Sequence, residues 1–220
     1  MTAPVPPTAP ATTDTAQPAS IVFGTDGVRG RVPEQFNLQM ITTLGRGVCT
    51  WLQQAGATGV LALPGVPEQF ARPITNRILV GYDRRPDSPA FALHLAKVCV
   101  AYGFSVDLTD SATPTPAIAR AARDEGYDCA LIITASHNQY TDNGLKLKPH
   151  YGGSATGEIT GAVEEALRHP ERAVACAVAK QHPPQAIDLK PAYCAAVRES
   201  LQLESGLPLG TTVYFDGMHG

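Results

Sequence analysis

Apolar positions recur at helical or strand spacing along most of the chain beyond residue 20. Asn37 can cap a helix whose apolar positions Leu38, Ile41, Leu44, Val48, Trp51 and Leu52 follow a period near 3.6, and Gly56 stops it. Residues 57–76 are rich in Gly and Pro and read as an irregular insertion. A short buried strand is expected at 78–82, ending in Asp83-Arg84-Arg85. Ser88 as N-cap with Pro89 at the first helical position opens a helix that buries Phe91, Leu95, Val98, Cys99 and Tyr102 and ends at Gly103. Strands at 104–108 and 129–134 flank a helix opened by Thr115-Pro116, running to Glu125 and stopped by Gly126. A short strand at 145–148 precedes a helix at 157–168, capped by Thr156, with Glu158 favouring the dipole of its first turn. A helix at 188–203 and a strand at 212–215 complete the pattern.

Alternating strands and helices predict an α/β fold with a mixed, largely parallel sheet sandwiched by helices. In such sheets ligands bind beyond the carboxyl ends of the strands. Residues 1–20 are rich in Ala, Pro and Thr, hold no Lys or Arg, and read as a disordered tail rather than a secretory signal. Residues 21–168 read as one domain, 169–187 with Pro170, Pro183 and Pro184 as a linker, and 188–220 as the start of a second, incomplete domain. One helix and one strand cannot build a stable core, so the chain is expected to be the front portion of a longer protein.

Composition narrows the function classes. The 220 residues are 44% hydrophobic and 17% charged, and only 6% are aromatic, so aliphatic side chains must build the core. A net charge of −3 gives no electrostatic case for nucleic acid or a membrane surface, and no apolar run approaches the length of a membrane helix. The five cysteines, Cys49, Cys99, Cys129, Cys176 and Cys194, lack CxxC spacing and read as reduced thiols of a cytoplasmic protein rather than a zinc site. His94, His150, His169, His182 and His219 lack ligand spacing and read as surface or packing residues.

The densest chemistry lies in Thr134-Ala135-Ser136-His137-Asn138-Gln139-Tyr140-Thr141-Asp142-Asn143-Gly144-Leu145-Lys146. This loop follows an apolar run and offers a hydroxyl, an imidazole, amides and a lysine at the end of a strand. Ser136 beside His137 is not in itself a triad, and no G-x-S-x-G elbow is present. Gly144 and the Gly152-Gly153 pair allow tight turns near a ligand. Lys146 and Arg29 can neutralise phosphate, although Arg29 can also pair with Asp26. These parts suit phosphoryl transfer, where positioning and electrostatics dominate. Asp83, Arg84 and Arg85 read as a structural turn and salt-bridge set.

The 134–146 segment resembles the phosphoserine loop of the α-D-phosphohexomutases, and Phe23-Gly24-Thr25-Asp26-Gly27-Val28-Arg29-Gly30 resembles that family's N-terminal signature. Gly81-Tyr82-Asp83-Arg84-Arg85 and Thr113-Pro114-Thr115-Pro116 are similar to family segments in the same order. The resemblance implies a phosphotransferase that interconverts hexose 1-phosphate and hexose 6-phosphate through phosphorylated Ser136 and a hexose 1,6-bisphosphate. It implies Mg2+ on a phosphoserine oxygen, with His137, Lys146 and Arg29 as catalytic groups. Asn138, Asn143 and Thr25 are the implied phosphate-binding groups. Gln139 stands where family loops carry proline, which would loosen the loop. The family's Asp-rich metal loop is absent, so most metal ligands are expected elsewhere. Residues 145–156 resemble phosphoglucomutase or phosphomannomutase members, and residues 23–30 also suit a phosphoglucosamine mutase. Readings from other classes are a non-catalytic chain that binds a sugar phosphate or a partner, and a serine hydrolase using Ser136.

Overall fold

The computed structural model describes residues 21–24, 27–175, 182–201 and 208–217. Numbered along the chain, six strands form one sheet in the order β1 (Val28–Arg31), β7 (Asp142–Pro149), β6 (Cys129–Ile133), β4 (Arg77–Tyr82), β5 (Ser105–Thr109) and β8 (Gln185–Ile187). The β6–β4, β4–β5 and β5–β8 pairs are parallel, and β7 runs against both β6 and β1. This is the mixed, mainly parallel α/β sheet expected.

Alternation along the strands divides the core between two faces. Ile78, Val80, Leu131, Ile133, Leu145 and Leu147 join a cluster completed by α1 (Leu38–Ala55), α2 (Ser88–Ala101) and α4 (Gly157–Arg168). Leu79, Ala130 and Ile132 face the opposite side, where α3 (Thr115–Asp124) supplies Ile118, Ala121 and Ala122. α5 (Lys190–Leu201) packs on α3, and Leu189 is buried in this second cluster. Each fully buried Leu or Ile contributes about 1.5–3 kcal/mol. The central strand β6, buried at every position, is accordingly the most costly one to disturb.

Local signals set most boundaries. Asn37 Oδ1 accepts from the Met40 amide at 3.0 Å and Gly56 closes α1; Thr156 Oγ1 accepts from the Ile159 amide at 3.3 Å to open α4. Several expectations need correction. Ser88 does not cap α2: Asp87 precedes the helix, and the Ser88 hydroxyl donates to Asp83 instead. Residues 57–76 contain a two-stranded sheet of β2 (Val60–Leu61) and β3 (Arg72–Pro73), anchored by buried Leu61 and Leu63. β7 begins at Asp142 rather than at Leu145, because its polar first half pairs with β1 through the backbone.

Within the expected linker, residues 185–187 add the edge strand β8, with Asp107 opposite Gln185 and Thr109 opposite Ile187. Residues 212–215 form no strand: no described strand borders them, and Tyr214 and Phe215 are each 92% exposed. The expected tail at 1–20, Thr25, Asp26, Cys176 and His219 lie outside the described residues. Cys49, Cys99 and Cys129 are free and buried, whereas Cys194 is free and exposed. Burial pushes the Cys49 and Cys129 thiols well above their usual range, so they are unreactive packing groups. No helix among the described residues is long and apolar enough to cross a membrane.

Candidate active site

The sheet places the Ser136 loop at the carboxyl end of β6, between β6 and β7. Pairing extends past the strand, since the Thr134 amide donates to the Gly144 carbonyl at 2.9 Å. The Ser136 amide then turns back and donates to Thr134 Oγ1 at 3.0 Å. Ser136 itself has φ +60, a left-handed conformation that costs a non-glycine residue about 1–3 kcal/mol. Its side chain is exposed, and Oγ makes no hydrogen bond among the described residues. His137, next to it, is likewise exposed.

Two cations stand on the strands that flank this loop. Arg29 on β1 lies opposite Gly144, and Lys146 on β7 lies opposite Ile132. Residues 144 and 146 share one face of β7, so Arg29 and Lys146 rise from the same side of the sheet. Position 144 has no room for a side chain: a Cβ there would meet the Val28 carbonyl oxygen, stand 2.8 Å from the Thr134 carbonyl oxygen and 3.0 Å from Arg29 Cγ. Arg29 is exposed, and Lys146 is partly buried. Gly152 has a φ of +77, which lets the backbone press against the Ala119 carbonyl of α3.

The two asparagines expected to bind phosphate are used differently. Asn143 is 1% exposed. Its Nδ2 donates to Ser88 Oγ at 3.0 Å and its Oδ1 accepts from the Gly144 amide at 2.9 Å, so both ends are engaged inside the protein. Asn138 Nδ2 donates to Asp142 Oδ2 at 2.9 Å and closes the loop on itself. Asn143 thus acts as internal support in this structure.

A support that sequence reasoning missed starts at the end of β4. Arg85 Nη2 donates to the carbonyls of Ser136 at 3.1 Å and Asn138 at 2.8 Å. Its Nη1 donates to the carbonyls of Gln139 at 2.5 Å and Asp142 at 2.9 Å. Arg85 Nε donates to Asp83 Oδ2 at 3.2 Å, and the Asp83 Oδ1 accepts from Ser88 Oγ at 2.7 Å. The expected Asp83–Arg85 turn and ion pair is thus present, but it also reaches across to residues 51 to 57 positions away. No local sequence signal encodes that reach.

An open cleft of 620 Å³ lies on the other side of β4, lined by Asp83, Arg84, Ser111, Thr113, Lys190 and Tyr193 among others. Its lining does not include the Ser136 loop, where residues 136, 137, 139 and 140 are exposed. Among the described residues, no group of three or more His, Cys, Asp or Glu side chains is placed to hold a metal ion.

Residues 66–173, which contain the whole Ser136 loop, Lys146 and Arg85, match the family model for the phosphoglucomutase/phosphomannomutase alpha/beta/alpha domain I. In this N-terminal part, the chain belongs to the phosphohexomutase family. The phosphohexomutase domain is 33% identical over 150 residues to a phosphoglucosamine mutase of Campylobacter fetus, covering 68% of this chain and 30% of that protein. It is 30% identical over 151 residues to a phosphoglucosamine mutase of Helicobacter pylori, covering 69% of this chain and 30% of that protein. Among solved structures, a proposed phosphomannomutase of Thermus thermophilus superposes with a TM-score of 0.67 at 28% identity, over 83% of this chain and 36% of that one. A phosphoglucomutase/phosphomannomutase family protein of Burkholderia thailandensis shares the fold, with a TM-score of 0.61 at 18% identity, over 82% of this chain and 36% of that one. The chain therefore spans about a third of the length of these relatives. Arg29 and Thr25 lie before the residues matched by the family model.

Proposed function

We propose that this chain carries the phosphoserine part of a phosphohexomutase, an enzyme that interconverts hexose 1-phosphate and hexose 6-phosphate. The observation that carries this reading is Ser136: exposed, with a free Oγ, in a left-handed conformation at the carboxyl end of β6. Arg29 and Lys146 lie on one face of the strands that flank the loop, which agrees with this reading. Backbone strain concentrated on a nucleophile-bearing residue supports a functional role for it.

In the proposed reaction, phosphorylated Ser136 donates its phosphoryl group to a hydroxyl of the bound hexose phosphate. The P–Oγ bond breaks as the P–O(sugar) bond forms, giving a hexose 1,6-bisphosphate. The sugar hydroxyl loses its proton and Ser136 Oγ gains one, with His137 and Lys146 as the proposed proton carriers. Arg29 and Lys146 offset charge on the moving phosphoryl oxygens. After the sugar reorients, Ser136 takes back the other phosphoryl group. A magnesium ion would supply further charge stabilisation at the phosphoserine oxygen. The described residues offer it no ligand cluster, so it enters no step assigned to this chain.

The relatives named phosphoglucosamine mutase favour an amino-hexose phosphate over the glucose or mannose phosphate that residues 145–156 suggested. A sugar phosphate substrate and the free thiols of Cys49, Cys99 and Cys129 suit the cytoplasm.

The test is phosphoryl transfer from a radiolabelled hexose 1,6-bisphosphate to the natively expressed protein. Label on Ser136, lost in Ser136→Ala together with turnover, is the expected result. Labelling that survives Ser136→Ala would overturn the proposal. Parallel turnover of glucosamine, glucose and mannose phosphates fixes the sugar.

A further inference from the structure

The Ser136 loop has little structure of its own. Its internal backbone bonds are two turns, from the Asn138 amide to the Ala135 carbonyl and from the Asp142 amide to the Gln139 carbonyl. Residues 136, 137, 139 and 140 are exposed, so packing does not hold them. Yet four carbonyls of the loop and its exit, those of Ser136, Asn138, Gln139 and Asp142, converge on one guanidinium. We propose that Arg85 is the positioning residue of this loop, fixing the direction in which Ser136 presents its Oγ.

A guanidinium has five N–H donors in a rigid planar fork. Arg85 spends four donor contacts on loop carbonyls and its Nε on Asp83. Its side chain is 11% exposed, so few of these bonds are exchanged with water. The fork is itself held: the Arg85 amide donates to Asp83 Oδ1 at 3.0 Å, and buried Ser88 donates to the same oxygen. Ser88 in turn accepts from Asn143, which anchors the start of β7. Both ends of the loop and the end of β4 are thereby tied to one cation.

Gln139 adds a second observation. Its amide N–H donates to no group among the described residues, while its carbonyl receives the shortest of the Arg85 bonds, at 2.5 Å. A proline there would restrict the loop covalently; Arg85 restricts it by gathering its carbonyls. Because those acceptors are backbone oxygens, Arg85 orients the nucleophile and does not itself touch the phosphoryl group.

This inference rests on the mutase reading for its kinetic arm only. The test compares wild type, Arg85→Lys, Arg85→Ala and Arg85→Ala/Gln139→Pro in the natively expressed protein. Hydrogen exchange is read at the amides of 134–142 and, as control, at 129–133. Expected for Arg85→Ala is at least about tenfold faster exchange confined to the loop, with kcat about 100-fold lower and KM nearly unchanged. Lysine, which keeps the charge but not the fork, should give an intermediate loss. Added methylguanidinium or Gln139→Pro should restore part of the kcat of Arg85→Ala. Unaltered loop exchange in both Arg85 variants would overturn the proposal, as would a rise in KM without a fall in kcat. If Arg85→Ala does not fold, Arg85→Lys decides. A wild-type protein without mutase activity would sink the functional reading, while loop exchange would still decide the role of Arg85.

Discussion

Replacing Asn143 by alanine should cost more stability than its place beside an exposed loop suggests. The side chain is 1% exposed, and its neighbour Ser88 is fully buried. Truncation removes the acceptor of the Gly144 amide, whose bond is 2.9 Å long, and leaves that N–H without a partner beside Thr134. A buried donor left unpaired costs about 1–3 kcal/mol. Losing the 3.0 Å bond to Ser88 Oγ adds about 0.5–1.5 kcal/mol, giving a total of about 1.5–4.5 kcal/mol. Ser88→Ala breaks the same bond from the other side and also removes the Ser88 donor to Asp83, so about 1–3 kcal/mol is expected. Because both single changes break one shared bond, the double variant should fall short of additivity by about 0.5–1.5 kcal/mol.

Urea unfolding followed by tryptophan fluorescence measures all three variants. Trp51 is the chain's one tryptophan and is 3% exposed in the main core, so its signal reports loss of the whole sheet–helix packing. With a slope of about 2–3 kcal/mol per molar urea, the midpoint of Asn143→Ala should move down by about 1 M. A shift below about 0.3 M, or strict additivity of the two single variants, would refute the network described here. It would mean that water replaces Asn143 at no cost.

The other predictions read different parts of the fold. Gly144→Ala puts a Cβ among backbone oxygens that cannot swing away and against Arg29 Cγ; we expect about 1–3 kcal/mol of destabilisation and, in the active protein, a lower kcat as Arg29 is displaced. His150 is 5% exposed, and its Nε2 lies 2.7 Å from the Phe70 carbonyl. That carbonyl requires the proton on Nε2 and leaves the buried Nδ1 unpaired. Burial, aided by the Arg72 charge and opposed by the Phe70 carbonyl and Asp128, lowers the imidazole pKa. The folded state therefore favours the neutral ring. That contribution is complete above the unfolded pKa of about 6.5 and is lost as pH falls from there toward the lower folded value. Urea midpoints should thus fall on acidification below about pH 6.5, and His150→Gln should flatten that part of the profile.

What the sequence disclosed and what it withheld follow from the range of the interactions involved. α1 and α4 could be bounded because Asn37 and Thr156 cap their own helices within three residues. Ser88 has the same local signature, yet its hydroxyl turns to Asp83, which the end of β4 brings closer than the free amides of α2. The polar half of β7 was invisible to hydrophobic periodicity because its partner is the backbone of β1, not an apolar face. The edge strand β8 is short and half polar, and only the exposed edge of β5 gives it a place.

The same division runs through the site. Ser136, His137 and Lys146 could be singled out because adjacent chemistry is written in adjacent residues. The supporting contacts of Arg85 and Asn143 could not be read, because what they do depends on which distant oxygen or amide the sheet brings to them. Asn143 stands inside the recognisable loop, yet its burial could not be read there, since it is a property of β7 lying over Ser88 and not of the loop sequence. Groups that must meet a substrate stay exposed and keep their chemical character. Groups that must hold those exposed residues still are satisfied by the fold, and so look unremarkable until it is known. An exposed serine held in a strained conformation requires such a second set. The convergence of loop carbonyls on Arg85 identifies it more directly than any residue type could.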